Sequence, residues 1–281
     1  MFDRVIISLL EGRFVRAIVK RLVSSVDSIF KLPIGFMVKS GALERPAHAY
    51  CIFHAAVQAQ RLGISNISII EFGVAGGNTL TIVERYARRV AKATGIKIDT
   101  FGFDTSEGLP ELEGPEDLPY WFYPTQYKMN YEELSDRLVD SQLVIGNIRH
   151  TVKTFFDDYS VPTVGVIFID VDFFSSTQDC FRIFDYEAKK FLPRVFLYFD
   201  DIVGSAMEMY GEFNGELRAI DEFNSQRSDI KIHMNRNLLP NASINWRHQI
   251  YYGHIFQHPL YNKYIGKKEQ SYIEQRVKLR P

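Results

Sequence analysis

Short apolar segments that alternate with helical segments constrain the fold of this chain more than any other feature. Between residues 66 and 201 the apolar segments are, in chain order, ISIIEFG, IKIDTFGFD, SQLVIGN, VGVIFIDVD and RVFLYFDD. Helical stretches such as NTLTIVERYARRVAKAT separate them. Strands that are apolar on both faces and alternate with helices are typical of a parallel sheet covered on two sides. We therefore expect an α/β fold with a mostly parallel sheet.

The flanking segments extend this pattern. RPAHAYCIFHAAVQAQRL predicts a helix that ends at Gly63, and TVKTFFDDY and TQDCFRIFDYEAKKFL predict two more. After residue 229, DIKIHMNRNL and INWRHQIYYGHIF are strand-like but are joined only by the turn-prone LPNAS. That order predicts an antiparallel hairpin added to the sheet.

These patterns divide the chain into a main domain, residues 45–258, and two extensions. Residues 1–44 predict an amphipathic helical extension, which either packs against the body or a partner subunit of a homo-oligomer, or lies on a membrane surface. Residues 259–281 form a polar, basic tail. The apolar positions at helical spacing in the first extension are Val5, Leu9, Phe14, Ile18, Leu22 and Val26, with Arg13, Arg16, Lys20 and Arg21 among them.

A long segment between the second and third strands, residues 105–137, is an insertion rather than an ordinary connection. It is rich in aromatic side chains, which a plain linker would not need. We expect a lid or a substrate-facing surface, with a cover for one sheet edge as the alternative. Together with segment 204–224 it is the candidate acceptor pocket. Its aromatic residues include Tyr120, Trp121, Phe122, Tyr123 and Tyr127.

Composition excludes several classes of protein. The 281 residues contain 33 basic and 34 acidic side chains, so no global field favours nucleic acid or an anionic membrane. No apolar run reaches the roughly 18 to 20 residues that a transmembrane segment needs, and the start has no signal-peptide layout. Cys51 and Cys180 cannot build a disulfide framework, which favours a cytoplasmic protein.

A glycine-containing loop, EFGVAGGNT, closes the first strand and opens a helix, where backbone N–H groups can face a bound nucleotide. The dinucleotide fingerprint would require glycine at 73, 75 and 78, but the chain has Gly73, Ala75 and Asn78. Glu71 enters the loop and Asp104 ends the second strand. A carboxylate there can accept ribose hydroxyls, so we expect a ligand that contains a nucleoside.

Acidic residues end the fourth and fifth strands. In a parallel sheet these ends share one edge, so Asp170, Asp200 and Asp201 should converge. Clustered carboxylates raise one another's pKa unless a cation lies between them, and their hard oxygen atoms favour Mg²⁺ or Ca²⁺. Asp172 is instead expected to serve the turn into the next helix, with Ser175 or Ser176 as its N-cap. A histidine could replace the metal as general base, and the candidates are His150, His248 and His254.

Three ordered blocks, EFGVAGGNT, FGFDTSEGLPE and FIDVDFFSST, resemble the macrocin O-methyltransferase family of class I S-adenosylmethionine-dependent methyltransferases. The likeness covers roughly residues 66 to 204, and GFDTSEGLPE is its most specific part. It implies a Rossmann-like class I methyltransferase fold with a seven-stranded sheet, helices on both faces, and the C-terminal hairpin as strands six and seven.

The resemblance also implies a cofactor site for S-adenosylmethionine across the ends of strands one and two. Glu71, Gly73 and Gly77 would shape its methionine side, and Asp104 would hold the ribose hydroxyls. Ala75 stands where glycine is more usual in the family. Asn147 stands where class I enzymes often have an acid near the adenine, and would contact the adenine edge.

Metal-dependent members of the family place an acid after strand four and an acid pair after strand five. Asp170, Asp200 and Asp201 would accordingly hold Mg²⁺, with Asp170 as ligand or as the base that takes the proton of the acceptor hydroxyl. The function expected is O-methylation of a sugar or small polar natural product. The alternatives are an NAD(P) or nucleotide-sugar oxidoreductase and an inactive binding protein on the same fold.

Overall fold

The computed structural model describes residues 13–241 and 245–277. Its strands are β1 Asn66–Phe72, β2 Lys97–Asp104, β3 Gln142–Ile145, β4 Thr163–Ile169, β5 Phe191–Phe199, β6 Ile230–Met234 and β7 Ile250–Ile255. Its α-helices are α1 Arg13–Phe30, α2 Ile34–Ser40, α3 Pro46–Leu62, α4 Asn78–Thr94, α5 Tyr131–Arg137, α6 Ile148–Asp158, α7 Phe174–Phe181, α8 Gly215–Gln226 and α9 Lys267–Val277.

The seven strands form one sheet in the order β3-β2-β1-β4-β5-β7-β6. The pairs β1–β2, β2–β3, β1–β4 and β4–β5 are parallel, and β7 is antiparallel to both β5 and β6. The order reverses between β1 and β4, and that is where open α/β sheets bind ligands. This confirms the predicted Rossmann-like fold of the class I methyltransferase type, including the hairpin as strands six and seven.

Both faces of the sheet are covered, which explains why the strands lack polar alternation. On one face α3 and α4 pack against side chains such as Ile69 and Phe168. On the other, α6, α7 and α8 pack against neighbours such as Ile70 and Phe72. Adjacent residues of β1 therefore enter two different cores, and both must be apolar. The first core also fixes α3 against β1, β4 and β5.

Helix ends follow the sequence in most places. Gly63 ends α3, as predicted, and Gly95 ends α4; both glycines adopt the left-handed conformation. The helix predicted over 177–192 is wrong in its extent, because α7 ends at Phe181, 3-10 turns follow, and β5 begins at Phe191. The serine N-cap is also wrong, since the residue before α7 is Phe173 and no side chain caps the helix.

The N-terminal extension is described from Arg13 onward, so predicted positions Val5 and Leu9 lie outside the described residues. Helix α1 is fixed to the body by Asp27, which accepts two hydrogen bonds of 2.8 Å from Arg89 of α4. Several apolar side chains in the second half of α1 are exposed, among them Leu22, Ile29 and Phe30. In the described parts of the chain, none of the helices has the length and apolar character needed to cross a membrane.

Candidate active site

The carboxyl ends of the central strands open into one cavity of about 450 Å³. This volume lies within the range of small-molecule and cofactor sites. The glycine loop after β1, residues 73–79, forms one wall, and the ends of β2, β4 and β5 form the floor. Parts of the insertion and of segment 204–214 complete the cavity, including Phe122, Tyr127 and Tyr210. The cavity therefore joins the two sites that the sequence predicts separately.

Positive φ angles give the glycine loop its shape. Gly73 has φ +85° and Gly77 has φ +71°. A Cβ atom at Gly73 would lie 1.7 Å from the backbone oxygen of Asp170, and one at Gly77 would lie 2.0 Å from Cδ1 of Leu134. Ala75 also adopts a positive φ, 45°, which an alanine tolerates at some cost. The loop therefore passes closer to β4 than any side chain would allow.

Asp104 holds this loop in place. Its Oδ2 accepts hydrogen bonds of 2.9 Å from the N–H groups of Val74 and Ala75, and its Oδ1 accepts one of 2.7 Å from Ser106. A carboxylate offers about four lone-pair sites. One site on Oδ1 remains, so Asp104 can accept one further hydroxyl, fewer than the two ribose hydroxyls expected from the sequence.

Glu71 lies at the inner end of the cavity and is 1% exposed. Its Oε2 is buried without a hydrogen-bond partner within the described structure. Burial, followed by the charge of Asp170, raises the pKa of this carboxyl well above its usual value, and Arg45 opposes the shift. A buried oxygen without a partner at a cavity wall marks a place where a ligand donor can bind.

Asn147 is the N-cap residue of α6. Its Oδ1 accepts a hydrogen bond of 2.9 Å from the N–H of Arg149 and so caps α6. The residue also lines the cavity. Its side-chain NH₂ group remains available to donate, which is the polarity that an adenine ring nitrogen would accept.

Asp170, Asp200 and Asp201 converge as the strand order requires. Each offers a carboxylate oxygen, and these three atoms lie within 4.8 Å of one another. The N–H of Asp170 donates to Phe72 and that of Asp200 donates to Ile169, both at 3.0 Å. Each acid thus extends a parallel ladder by one residue, which directs both to the same sheet edge.

Neighbouring groups orient these acids. Tyr198 donates its hydroxyl to Oδ1 of Asp200. Oδ2 of Asp201 accepts the N–H of Asp172 at 3.0 Å, and Oδ1 accepts the Tyr210 hydroxyl at 3.2 Å. Each of these two acids therefore has at least one oxygen fixed by a donor, as is common for residues that bind a metal.

The cluster is larger than the sequence indicates, because Asp172 and Glu216 belong to it. Asp172 has φ +60° and is 8% exposed, and its carboxyl lines the cavity. Glu216 is fully buried, and its Oε2 accepts the N–H of Asp201 at 3.0 Å while Oε1 has no described partner. Asp172 lies in the turn before α7, as predicted, and it also belongs to the acidic cluster.

Burial and mutual repulsion raise the pKa of several carboxyls in this cluster. For Asp170 and Asp201 burial is the main cause, followed by the charges of Asp200 and Asp172 respectively. The pKa of Asp172 is raised to about 7, mainly by burial and then by Asp200. Several buried acids in one place are costly without a compensating cation, and carboxylate oxygens are the ligands that Mg²⁺ and Ca²⁺ prefer.

Histidines are absent from the cavity wall, as far as the described residues show. His254 stacks instead with His233 on the outer hairpin, and His150 lies exposed on α6. His48 is buried between the rings of Phe168 and Tyr198. This arrangement does not support a histidine as general base.

One residue that the sequence analysis does not single out also faces the cavity. Arg45 immediately precedes Pro46, the first residue of α3, and its side chain lines the cavity near Glu71 and Asp170. Its charge opposes the rise in pKa of both acids. The sequence signal is an arginine before a helix that leads into β1, because such a helix begins at the carboxyl edge of the sheet.

The insertion is fixed to the domain by a buried acid. Asp117 is 1% exposed, and its carboxylate accepts the N–H and the hydroxyl of Ser175 at 2.9 and 2.8 Å. It also accepts the N–H of Glu113 at 2.8 Å. Several aromatic side chains of the insertion are exposed, namely Tyr120, Trp121, Tyr123 and Tyr127, and the last of these lines the cavity.

Comparisons with known proteins give a limited result. No protein-family description matches the chain, and no curated protein matches it.

Similar solved structures include CalS11, a calicheamicin methyltransferase, with 17% identity over 83% of this chain and 90% of that one and a TM-score of 0.47. The O-methyltransferase NovP has 13% identity over 74% and 79% of the two chains and a TM-score of 0.47. The plantazolicin methyltransferase BamL has 10% identity over 84% and 94%, with a TM-score of 0.38. At such identities and TM-scores the likeness carries no argument about activity.

Proposed function

We propose that this protein is an S-adenosylmethionine-dependent O-methyltransferase that acts on a hydroxyl of a sugar or small polar natural product, assisted by Mg²⁺. The observation that carries the proposal is that the glycine loop and the three-aspartate cluster of Asp170, Asp200 and Asp201 open into the same cavity. A donor bound at the loop and a hydroxyl bound at the cluster would therefore be neighbours. The resemblance of three sequence blocks to macrocin O-methyltransferases supports this assignment.

The residues around the loop fit S-adenosylmethionine. Gly73 lets the loop pass directly against the backbone of Asp170, and Glu71, which lines the cavity, carries a buried oxygen without a described partner. We assign Glu71, Gly73, Ala75 and Gly77 to the methionine side. Asp104 would accept one ribose hydroxyl through Oδ1, and Asn147 would donate to the adenine. When bound, S-adenosylmethionine supplies an electrophilic methyl group on a sulfonium sulfur.

The three-aspartate cluster fits a hard divalent cation. Its oxygen donors lie within 4.8 Å of one another and sulfur ligands are absent from the set. The proposal assigns Asp170, Asp200 and Asp201 as the ligands, with Tyr198 and Tyr210 holding the last two in position. Mg²⁺ bound there would lower the pKa of an acceptor hydroxyl and compensate the carboxylates.

The carboxylates also provide a proton acceptor. Methyl transfer to oxygen requires that the hydroxyl lose its proton, and a carboxylate oxygen beside the hydroxyl can accept it. Asp170 is the residue that we assign to this role, because it ends β4, next to both the loop and the acid pair. Phe122 and Tyr127 would narrow the cavity mouth and limit the access of water.

Ligand binding tests the cofactor assignment. Thermal-shift titration with S-adenosylmethionine, S-adenosylhomocysteine, NAD and NADP should show stabilisation by the first two alone. A ligand at 100 times its Kd stabilises by about 2.7 kcal/mol, which is a readily measured shift. Stabilisation by a nicotinamide cofactor alone would contradict the proposal and favour an oxidoreductase.

Metal binding is tested separately from cofactor binding. Calorimetric titration should detect Mg²⁺ binding to the wild-type protein and none to the double variant Asp200→Asn, Asp201→Asn. The control is Asp221→Asn, which removes an exposed acid from α8 and should bind Mg²⁺ normally. Retained S-adenosylhomocysteine binding by the double variant would show that its cavity is intact.

Methyl transfer itself is measured by mass spectrometry. The protein, S-adenosylmethionine and a panel of hydroxylated natural products should give a product heavier by one methylene unit. Chelation of divalent cations and the double variant should both suppress this product. Unchanged turnover in the presence of the chelator would contradict the metal assignment and leave the methyltransferase assignment standing.

A further inference from the structure

Arg45 is a cation without a partner in an acidic cavity. Its side chain forms no hydrogen bond and no ion pair with any residue that the structure describes, although it is half-buried at the cavity wall. Arg149, which also lines the cavity, is paired with Glu113 at 2.6 Å and with Asp179 at 2.9 Å. The difference shows that a cavity arginine in this fold can find a carboxylate, and that Arg45 does not.

This absence of a partner is informative because the cavity is lined by many acids. The charge of Arg45 acts on two of them, Glu71 and Asp170. A guanidinium group carries five N–H donors in a planar fork that matches a carboxylate or phosphate. In such a cavity, donors left unused on the wall are available to an anionic group of a ligand.

The fold places Arg45 at the methionine end of the proposed cofactor site. Helix α3 packs on β1, β4 and β5 and leads into β1 through Gly63 and a short connection, so its first residues lie at the carboxyl edge of the sheet. Glu71 lies near the end of β1, at the same edge, and its Oε2 has no hydrogen-bond partner among the described residues. A free amino-acid group has one cationic and one anionic end, and these two residues offer one complement to each.

We propose that Arg45 forms an anion subsite that binds the α-carboxylate of the methionine moiety of S-adenosylmethionine, with Glu71 on the side of the α-ammonium group. The inference rests on the proposed function, because it concerns the same cofactor. Without Arg45 the nearby acids Glu71 and Asp170 would repel this carboxylate and oppose its entry. With Arg45 the subsite selects nucleosides that carry an amino-acid group over those that lack one.

Binding measurements on variants of Arg45 test the subsite. The ligands are S-adenosylhomocysteine and its analogue in which hydrogen replaces the carboxyl group, so that the amine is kept. Arg45→Gln should weaken S-adenosylhomocysteine binding roughly 10- to 100-fold, the range for a charge-assisted hydrogen bond, and should leave binding of the amine analogue within about twofold. Arg45→Lys, which keeps the charge but loses the fork, should fall between.

The controls separate this inference from the proposed function. Arg88→Gln removes an exposed arginine of α4 that is paired with Asp140. This variant should bind both ligands as the wild type does. Equal weakening of both ligands by Arg45→Gln, or no weakening of either, would overturn the carboxylate subsite while the methyltransferase assignment stands. Failure of the wild-type protein to bind S-adenosylhomocysteine would overturn the proposed function and the subsite with it.

Discussion

At Gly73 the glycine loop and the end of β4 come so close that the backbone leaves no space for a side chain. A Cβ atom would overlap the backbone oxygen of Asp170 at 1.7 Å, and φ is +85°. Gly73→Ala should therefore displace either the loop or β4. We expect a loss of roughly 3 kcal/mol or more in the free energy of unfolding, together with loss of S-adenosylhomocysteine binding. Urea denaturation and calorimetry measure the two effects.

Gly76 is the matched control in the same loop. A Cβ atom there would meet nothing within 4 Å, and no positive φ is required of it. Gly76→Ala should change the free energy of unfolding by less than about 1 kcal/mol. If both variants behaved alike, the close approach of the loop to β4 would not be what makes glycine necessary at 73.

His48 predicts how stability depends on pH. It is 3% exposed and packed between the rings of Phe168 and Tyr198, each at 4.4 Å. Burial, assisted by the charge of Arg45, lowers its pKa to about 3 from the usual 6.5. A lowered histidine pKa means that the unfolded chain binds the proton first, so stability is full above pH 6.5 and is lost as the pH falls.

From this shift we expect His48 to contribute about 2 kcal/mol of destabilisation between pH 7 and pH 5. His48→Phe keeps a ring between its two neighbours and removes the buried Nδ1, which has no described partner. The variant should lose less stability over this pH range than the wild type in urea denaturation. His150→Gln, at an exposed site, should follow the wild-type profile, and identical profiles for all three proteins would show that His48 does not titrate on unfolding.

At the scale of the element, the insertion over 105–137 depends on Asp117. This buried carboxylate accepts hydrogen bonds from Ser175 on α7 and from Glu113 within the insertion. Asp117→Ala would leave these donors without their acceptor, at a cost of roughly 2 to 4 kcal/mol. We expect faster proteolytic cleavage within the insertion and weaker catalysis, measured by limited proteolysis and by the methyl-transfer assay.

The neighbouring acid provides the comparison for that experiment. Glu116 lies in the same 3-10 turn but is less buried. Glu116→Ala should leave cleavage and turnover close to the wild type. Rapid cleavage of both variants would mean that the turn as a whole, rather than the contact between Asp117 and α7, holds the insertion.

At the scale of the whole molecule, the sheet was predictable because its physical cause is local. Strands such as β1 send adjacent side chains into two different cores, so each strand appears as an apolar run in the sequence. The hairpin of β6 and β7 was predictable because the sequence between its strands shows no helical pattern; in its described residues the structure has only short 3-10 turns there. The end of α7 was not, because TQDCFRIFDYEAKKFL keeps helical composition past Phe181 while the chain turns to begin β5.

The site was predictable where chain order alone fixes it. Asp170, Asp200 and Asp201 follow adjacent parallel strands, so the sheet brings them together. Glu216 reaches the same region from a helix, and helix packing cannot be deduced from strand order. The position of Asp172 in the acidic cluster was not predictable, because its positive φ, which turns the chain at that point, is not visible in the residue type.

The exposed face of α1 supports a last prediction, that the protein associates through this helix. Its apolar side chains recur at helical spacing, and Leu22 is 61% and Ile29 73% exposed. Exposed apolar stripes of this kind mark interaction surfaces.

Light scattering coupled to size exclusion should detect a dimer or larger oligomer, and Leu22→Glu with Ile29→Glu should shift it to monomer. Because both side chains are exposed, the change should act on association rather than on folding of the monomer. Ser24→Glu, an exposed position outside the stripe, should leave the mass unchanged, and a wild-type protein that is monomeric at high concentration would refute the prediction.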